Sequence, residues 1–170
     1  MTSVPPVVRR ATLDDAGQIA EVHVASWRET YAGVIPDRLL GPETLTARHR
    51  MWSSILSLDP VPGTVVVAER EGRVIGFAFS GSSRHPDATR GIEPARDLHL
   101  FSLYLLAAEH GDGVGHALLE AALGNEPAQL WVLSANDRAR AFYEQHQFCA
   151  DGAEIVDPDL DGLVEIRMVR

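Results

Sequence analysis

The stretch Ser102-Leu103-Tyr104-Leu105-Leu106-Ala107-Ala108-Glu109-His110-Gly111-Asp112-Gly113-Val114-Gly115-His116-Ala117-Leu118-Leu119 passes from an apolar strand pattern, through three alternate glycines, into a helical pattern. A helix start leaves backbone N–H groups without intrahelical partners, and such groups favour an anion. Glycine lets the backbone approach a ligand and take positive φ, which exposes consecutive N–H groups as a concave nest. Two common phosphate motifs fail on spacing. For G-x-G-x-x-G the third glycine position is His116 when counted from Gly111 and Leu118 when counted from Gly113, and no Gly-Lys-Ser/Thr ending follows. Taken alone, the glycines also fit a plain tight turn from strand to helix.

Outward from this turn, the pattern predicts a buried strand over Leu98–Leu106, a helix over Gly113–Leu123, a strand over Gln129–Leu133 and a helix over Asn136–His146. Toward the N-terminus, Val7–Ala11 reads as a strand. Thr12 with Asp15 is a capping signature for a helix whose apolar stripe is Ala16, Ala20, Val24, Trp27 and Tyr31. A second helix spans about Pro42 to Leu58, and Thr64–Glu69 with Val74–Ser80 forms an antiparallel hairpin around Arg70-Glu71-Gly72-Arg73. Gly81–Asp97, rich in Gly, Ser, Pro, Arg and Asp, reads as an exposed connection and the best candidate for disorder. Two apolar segments, Glu154–Val156 and Val164–Met168, predict a closing hairpin.

Composition narrows the function classes. A chain of 170 residues, 45% hydrophobic and 23% charged, fits one globular domain. A net charge of −9 without a basic run opposes nucleic-acid binding, which relies on Lys and Arg displacing counterions. The longest apolar run, Leu98–Ala108, is too short for a membrane-spanning helix, and Met1–Arg10 lacks a secretory h-region. Cys149 is the only cysteine, so neither an intrachain disulfide nor a multi-cysteine metal cage can form. His49, His85, His116 and His146 show no metal-ligand spacing, and no metal is expected. A cytoplasmic protein is the expectation.

The glycine turn resembles the cofactor motif Arg/Gln-x-x-Gly-x-Gly/Ala of the GNAT superfamily of N-acetyltransferases, with His110, Gly113 and Gly115 in the defined places. Ser102–Leu106 resembles that family's central strand, and Asn136-Asp137-Arg138-Ala139-Arg140-Ala141-Phe142-Tyr143 its Asn-x-x-Ala-x-x-Phe-Tyr helix. Trp27-Arg28-Glu29-Thr30-Tyr31-Ala32-Gly33 with Pro36 is similar to one branch of the family. His110 departs from the usual Arg or Gln, Gln147 stands where Gly is frequent, and Asp112 is acidic where a basic residue is common. An anion at a helix N-terminus gains roughly 0.3–2 kcal/mol. Two like charges about 4 Å apart repel by about 1 kcal/mol in water and about 4 near a protein surface. Asp112 must therefore face solvent.

The resemblance implies an α+β domain with a mostly antiparallel twisted sheet of six to seven strands and about four helices. It implies acetyl-CoA as acyl donor and direct transfer to the primary amine of a small molecule or peptide in a ternary complex. It places the cofactor on the backbone of Leu103, Tyr104 and Leu105, on the turn His110, Gly111, Asp112, Gly113, Val114, Gly115 and His116, and beside Asn136 and Tyr143. The N–H near Leu105 would polarise the thioester carbonyl. Asn136 equally suits a helix N-cap.

Tyr143 matches the family's general acid for the cofactor sulfur; its alternative is a core aromatic beside Phe142. An ammonium of pKa about 10.4 must lose a proton before it attacks. His99 occupies the place where histone-acetylating relatives carry a glutamate base, with Glu29, Glu93 or water as alternatives. Trp27, Tyr31 and Trp52 face either the acceptor or the core. Many family members pair as homodimers. A rival function is a non-catalytic acyl-CoA sensor, and a third is a partner-binding domain indifferent to coenzyme A.

Overall fold

The computed structural model describes residues 4–170. Its strands are β1 (Val7–Arg10), β2 (Thr64–Arg70), β3 (Arg73–Ser82), β4 (Leu98–Leu105), β5 (Ala128–Leu133), β6 (Cys149–Asp157) and β7 (Leu163–Val169). The helices are α1 (Ala16–Tyr31), α2 (Pro42–Leu56), α3 (Pro86–Thr89), α4 (Val114–Leu123) and α5 (Asp137–Gln145). The seven strands form one sheet in the order β1-β2-β3-β4-β5-β7-β6. The β4–β5 pair is parallel, whereas β1–β2, β5–β7 and β6–β7 are antiparallel. This is the expected mixed α+β architecture. None of the described helices is long and apolar enough to cross a membrane.

Two compact units divide the chain, one containing the chain as far as Phe79 with Ser102–Gly124, the other Ser80–Phe101 with Asn125–Arg170.

In the first unit, the periodic apolar positions of α1 and α2 bury Ile19, Ala20, Trp52 and Leu56 with Val65, Val67 and Phe77 of the hairpin. Removing such side chains from water at about 25 cal/mol per Å² is the main favourable term for this unit. Thr12 and Asp15 cap the entry as expected, the Thr12 N–H donating to Asp15 Oδ2 at 2.8 Å. The Asp15 carboxylate is also held by Arg9, 2.8 Å from both oxygens, and Arg9 reaches Glu69 at 2.6 Å. This arginine holds the Asp15 pKa below the usual carboxylate value. Gly76 of β3 lies so close to β4 that a Cβ there would stand 3.0 Å from the Tyr104 carbonyl oxygen.

In the second unit, Leu100, Leu130 and Met168 lie in register across β4, β5 and β7, and all are buried. The segment 81–97 corrects the expectation of an exposed connection. Strand β3 extends to Ser82, and α3 occupies Pro86–Thr89 with Ala88 fully buried. Its backbone polar groups are claimed at a distance in sequence. The Trp131 indole N–H donates to Ala88 O at 2.7 Å, the Ala95 and Arg96 N–H groups donate to Gln129 Oε1, and Arg167 donates to Glu93 O. Arg90 adds ion pairs to Asp157 and Glu165. Without apolar periodicity, the order of this segment comes from hydrogen bonds that its own composition does not reveal.

Candidate active site

The glycine turn adopts the nest-forming backbone. Gly111 has φ +95° and Gly113, which caps α4, has φ +78°. A Cβ at either would meet no atom within 4 Å, so conformation, not crowding, calls for glycine there. The turn is anchored behind by Val114, Leu118 and Leu119, all buried. Asp112 is exposed, as the charge arithmetic required. The His110 side chain turns back along the chain and its Nε2 pairs with Leu105 O at 3.0 Å, which makes that nitrogen the donor. Its imidazole thereby braces the turn against the end of β4.

Strand β4 pairs in parallel with β5 at Leu98↔Ala128, His99↔Gln129 and Leu100↔Leu130, and β4 runs on to Leu105. At its far end the Leu106 N–H donates to Ile75 O at 3.0 Å. Just beyond, the Ala107 N–H donates to Glu29 Oε2 at 2.8 Å. Glu29 is exposed on α1, so a carboxylate is fixed at the end of the strand and open to water.

Beside β4 in the same unit is an aromatic cluster that sequence reasoning left partly to the core. His23 stacks on Tyr104 at 4.9 Å and contacts Trp27, Trp52 and Phe77. Burial, with the charge of Arg48 adding to it, holds the His23 pKa down at about 3, and the Trp52 indole N–H donates to its Nδ1 at 3.2 Å. Trp52 is fully buried and structural, whereas Trp27 and Tyr31 are only half-buried. His23 escapes a reading from sequence, because one histidine in an apolar stripe carries no signal without its neighbours.

The remaining candidates lie in the second unit. Asn136 caps α5, its Oδ1 accepting from the Ala139 N–H at 3.1 Å, so the cap role is realised. Tyr143 on α5 is buried, 5.3 Å from the Phe142 ring and 5.8 Å from Phe148. His99 is also buried, its ring 4.7 Å from Phe101. Because Gln129 Oε1 accepts two backbone N–H bonds, its Nε2 is left to donate to His99 Nδ1, at 3.3 Å. Burial and the Arg167 charge hold the His99 pKa near 4. Cys149 is exposed.

Residues 62–149 match the model of the acetyltransferase (GNAT) domain, a span that includes the glycine turn, the end of β4 and α5. The chain belongs to the GNAT acetyltransferase family. As a GNAT protein it is an acyltransferase, and acetyl-CoA is the acyl donor of the family. It is 28% identical to the probable N-acetyltransferase Rv2775 of Mycobacterium tuberculosis, over 92% of this chain and 87% of that one. It is 30% identical to an uncharacterized N-acetyltransferase of Archaeoglobus fulgidus, over 80% and 88% of the two chains. Among solved structures, the PaiA N-acetyltransferase of Thermoplasma acidophilum, crystallised in complex with coenzyme A, superposes with a TM-score of 0.71 at 18% identity, covering 96% of this GNAT chain and 98% of its own. At that identity the likeness concerns the fold.

Proposed function

We propose that this single GNAT domain transfers an acetyl group from acetyl-CoA to a primary amine of a small molecule or peptide, directly and in a ternary complex. The observation that carries this is the turn Gly111–Gly115, where positive-φ glycines open the start of α4 beside unobstructed space. N–H groups so arranged suit the pyrophosphate of coenzyme A. The chain residues that would hold the cofactor are Leu103, Tyr104 and Leu105 through their backbone, His110 to His116 at the turn, and Asn136 and Tyr143 from α5. Bound acetyl-CoA supplies the activated thioester.

The protein must then manage two protons. Tyr143 is the acid that supplies one to the leaving sulfur, whose reference pKa of about 8.5 makes the task modest. For the other, Glu29 is the better base. His99 accepts a bond on Nδ1 from Gln129, so its acceptor nitrogen is taken. We therefore give His99 a structural role. Glu29 is open to water and fixed by the Ala107 N–H, which suits a carboxylate that draws a proton through solvent.

The single cysteine accords with a reducing, cytoplasmic setting. Homodimer pairing would use the sheet edge at β6, where Val156 is 65% exposed, and light scattering tests it. The test of function is acetyl-CoA-dependent thiol release with a panel of amines, with mass spectrometry of the acetylated product. Transfer to at least one amine is expected. Acetyl-CoA binding with no turnover on any amine would favour the sensor, and no binding would favour a partner domain.

A further inference from the structure

Arg48 of α2 differs from four other arginines of the molecule in what holds it. Arg9, Arg70, Arg90 and Arg167 each pair with a carboxylate. The guanidinium of Arg48 instead lies 5.3 Å from the centre of the Trp27 ring, and its hydrogen-bond partner is the weakly accepting Met51 sulfur, 3.8 Å away. Among the described residues no carboxylate pairs with it, in a chain that carries 24 Asp and Glu. Burial pulls its pKa below the ordinary arginine value, so the charge is held at a cost that an anion would relieve.

The same indole carries a second donor without an acceptor, because Trp27 Nε1 is buried and has no hydrogen-bond partner. His23, beside Trp27, is held neutral by burial and by the nearby charge of Arg48. The cluster also reaches the strand proposed to carry the thioester. The Trp27 ring meets Tyr104 of β4 edge-on at 6.4 Å, and Tyr104 is near enough to Arg48 to influence its charge.

We propose that Arg48, seated on Trp27, binds a carboxylate of the acceptor, so that the acceptor is a small amino acid or short peptide bearing both a free amine and a carboxylate. This rests on the transferase reading above and specifies its substrate class. A planar guanidinium takes a carboxylate in two parallel hydrogen bonds, and a guanidinium pinned on a ring face loses little freedom in doing so. The net charge of −9 steers the ammonium end of such a zwitterion toward the protein, while Arg48 holds its other end.

The test compares amino acids and dipeptides with their carboxyl-amidated counterparts, with phosphoethanolamine and spermidine as further arms, by thiol release and by calorimetric binding in the presence of coenzyme A. Amidation is expected to lower kcat/KM by about ten- to hundredfold in the wild type, the size of one lost charged hydrogen-bond pair. Arg48→Gln is expected to erase that preference through KM, Arg48→Lys to restore part of it, and both to keep the wild-type circular dichroism and affinity for acetyl-CoA. Equal rates on free and amidated acceptors overturn the proposal, as does a preference for phosphoethanolamine or spermidine. Weakened acetyl-CoA binding in Arg48→Gln would make Arg48 a cofactor contact and also overturn it. Arg48-dependent binding of the carboxylates without turnover would support the site while removing the transferase reading.

Discussion

A Cβ added to Gly76 would come within 2.7 Å of Leu105 Cδ1 and 3.1 Å of Leu118 Cδ1, with the Tyr104 carbonyl oxygen at 3.0 Å. The flexible leucines can turn aside, but the Tyr104 carbonyl belongs to the strand backbone. Gly76→Ala is expected to cost about 1–3 kcal/mol by overpacking and, by pushing on the end of β4, to weaken acetyl-CoA binding as well. Urea denaturation with parallel calorimetry checks both effects. Wild-type stability would mean that β4 is not held where it is described.

Removing the Tyr143 hydroxyl should slow turnover far more than it weakens acetyl-CoA binding. For Tyr143→Phe we expect a fall in kcat toward the low end of the ~10²–10⁴ range of general acid catalysis, since a thiolate needs little help to leave. The ring stays, so its contacts with Phe142 and Phe148 persist. A variant as fast as the wild type would leave Tyr143 a core aromatic.

Glu29→Gln keeps an acceptor for the Ala107 N–H but cannot take a proton. Its kcat is expected to fall by about 10²-fold, whereas His99→Gln should turn over at close to the wild-type rate. The opposite pattern would reverse the two assignments.

Acid should destabilise the fold through its two buried histidines. His23 and His99 have folded pKa values of about 3 and about 4, below the ordinary 6.5, so between these limits the unfolded chain binds more protons. Their neutral forms contribute full stability above about pH 6.5, and each histidine loses up to about 1.4 kcal/mol per pH unit as the pH falls toward 4. Urea midpoints measured from pH 7 to 4.5 should decline, and less steeply in His99→Gln. A flat profile would mean that neither ring is buried neutral.

The parts of this molecule visible in its sequence are those written in local chemistry. Apolar periodicity placed α1, the β2–β3 hairpin and the β4–α4–β5–α5 run within a residue or two, and Thr12 with Asp15 marked the first turn. The glycines at Gly111 and Gly113 announced a backbone that only they adopt easily. What stayed hidden depends on partners distant in sequence. Segment 81–97 is ordered by Trp131, Gln129 and Arg167, and His99 is made a poor base by Gln129, thirty positions away. The Arg48–Trp27 pair joins two helices whose own patterns predict only a shared core.

In the proposed function the turn Gly111–Gly115 grips the pyrophosphate of coenzyme A. Calorimetric titration of the wild type and of Gly113→Ala with acetyl-CoA tests it most directly, because a Cβ at φ +78° meets no neighbour but strains the backbone by about 1–2 kcal/mol. We predict saturable binding of one acetyl-CoA per chain, weakened about tenfold in the variant as the nest relaxes. No binding by the wild type, or equal affinity in a properly folded variant, would contradict the account.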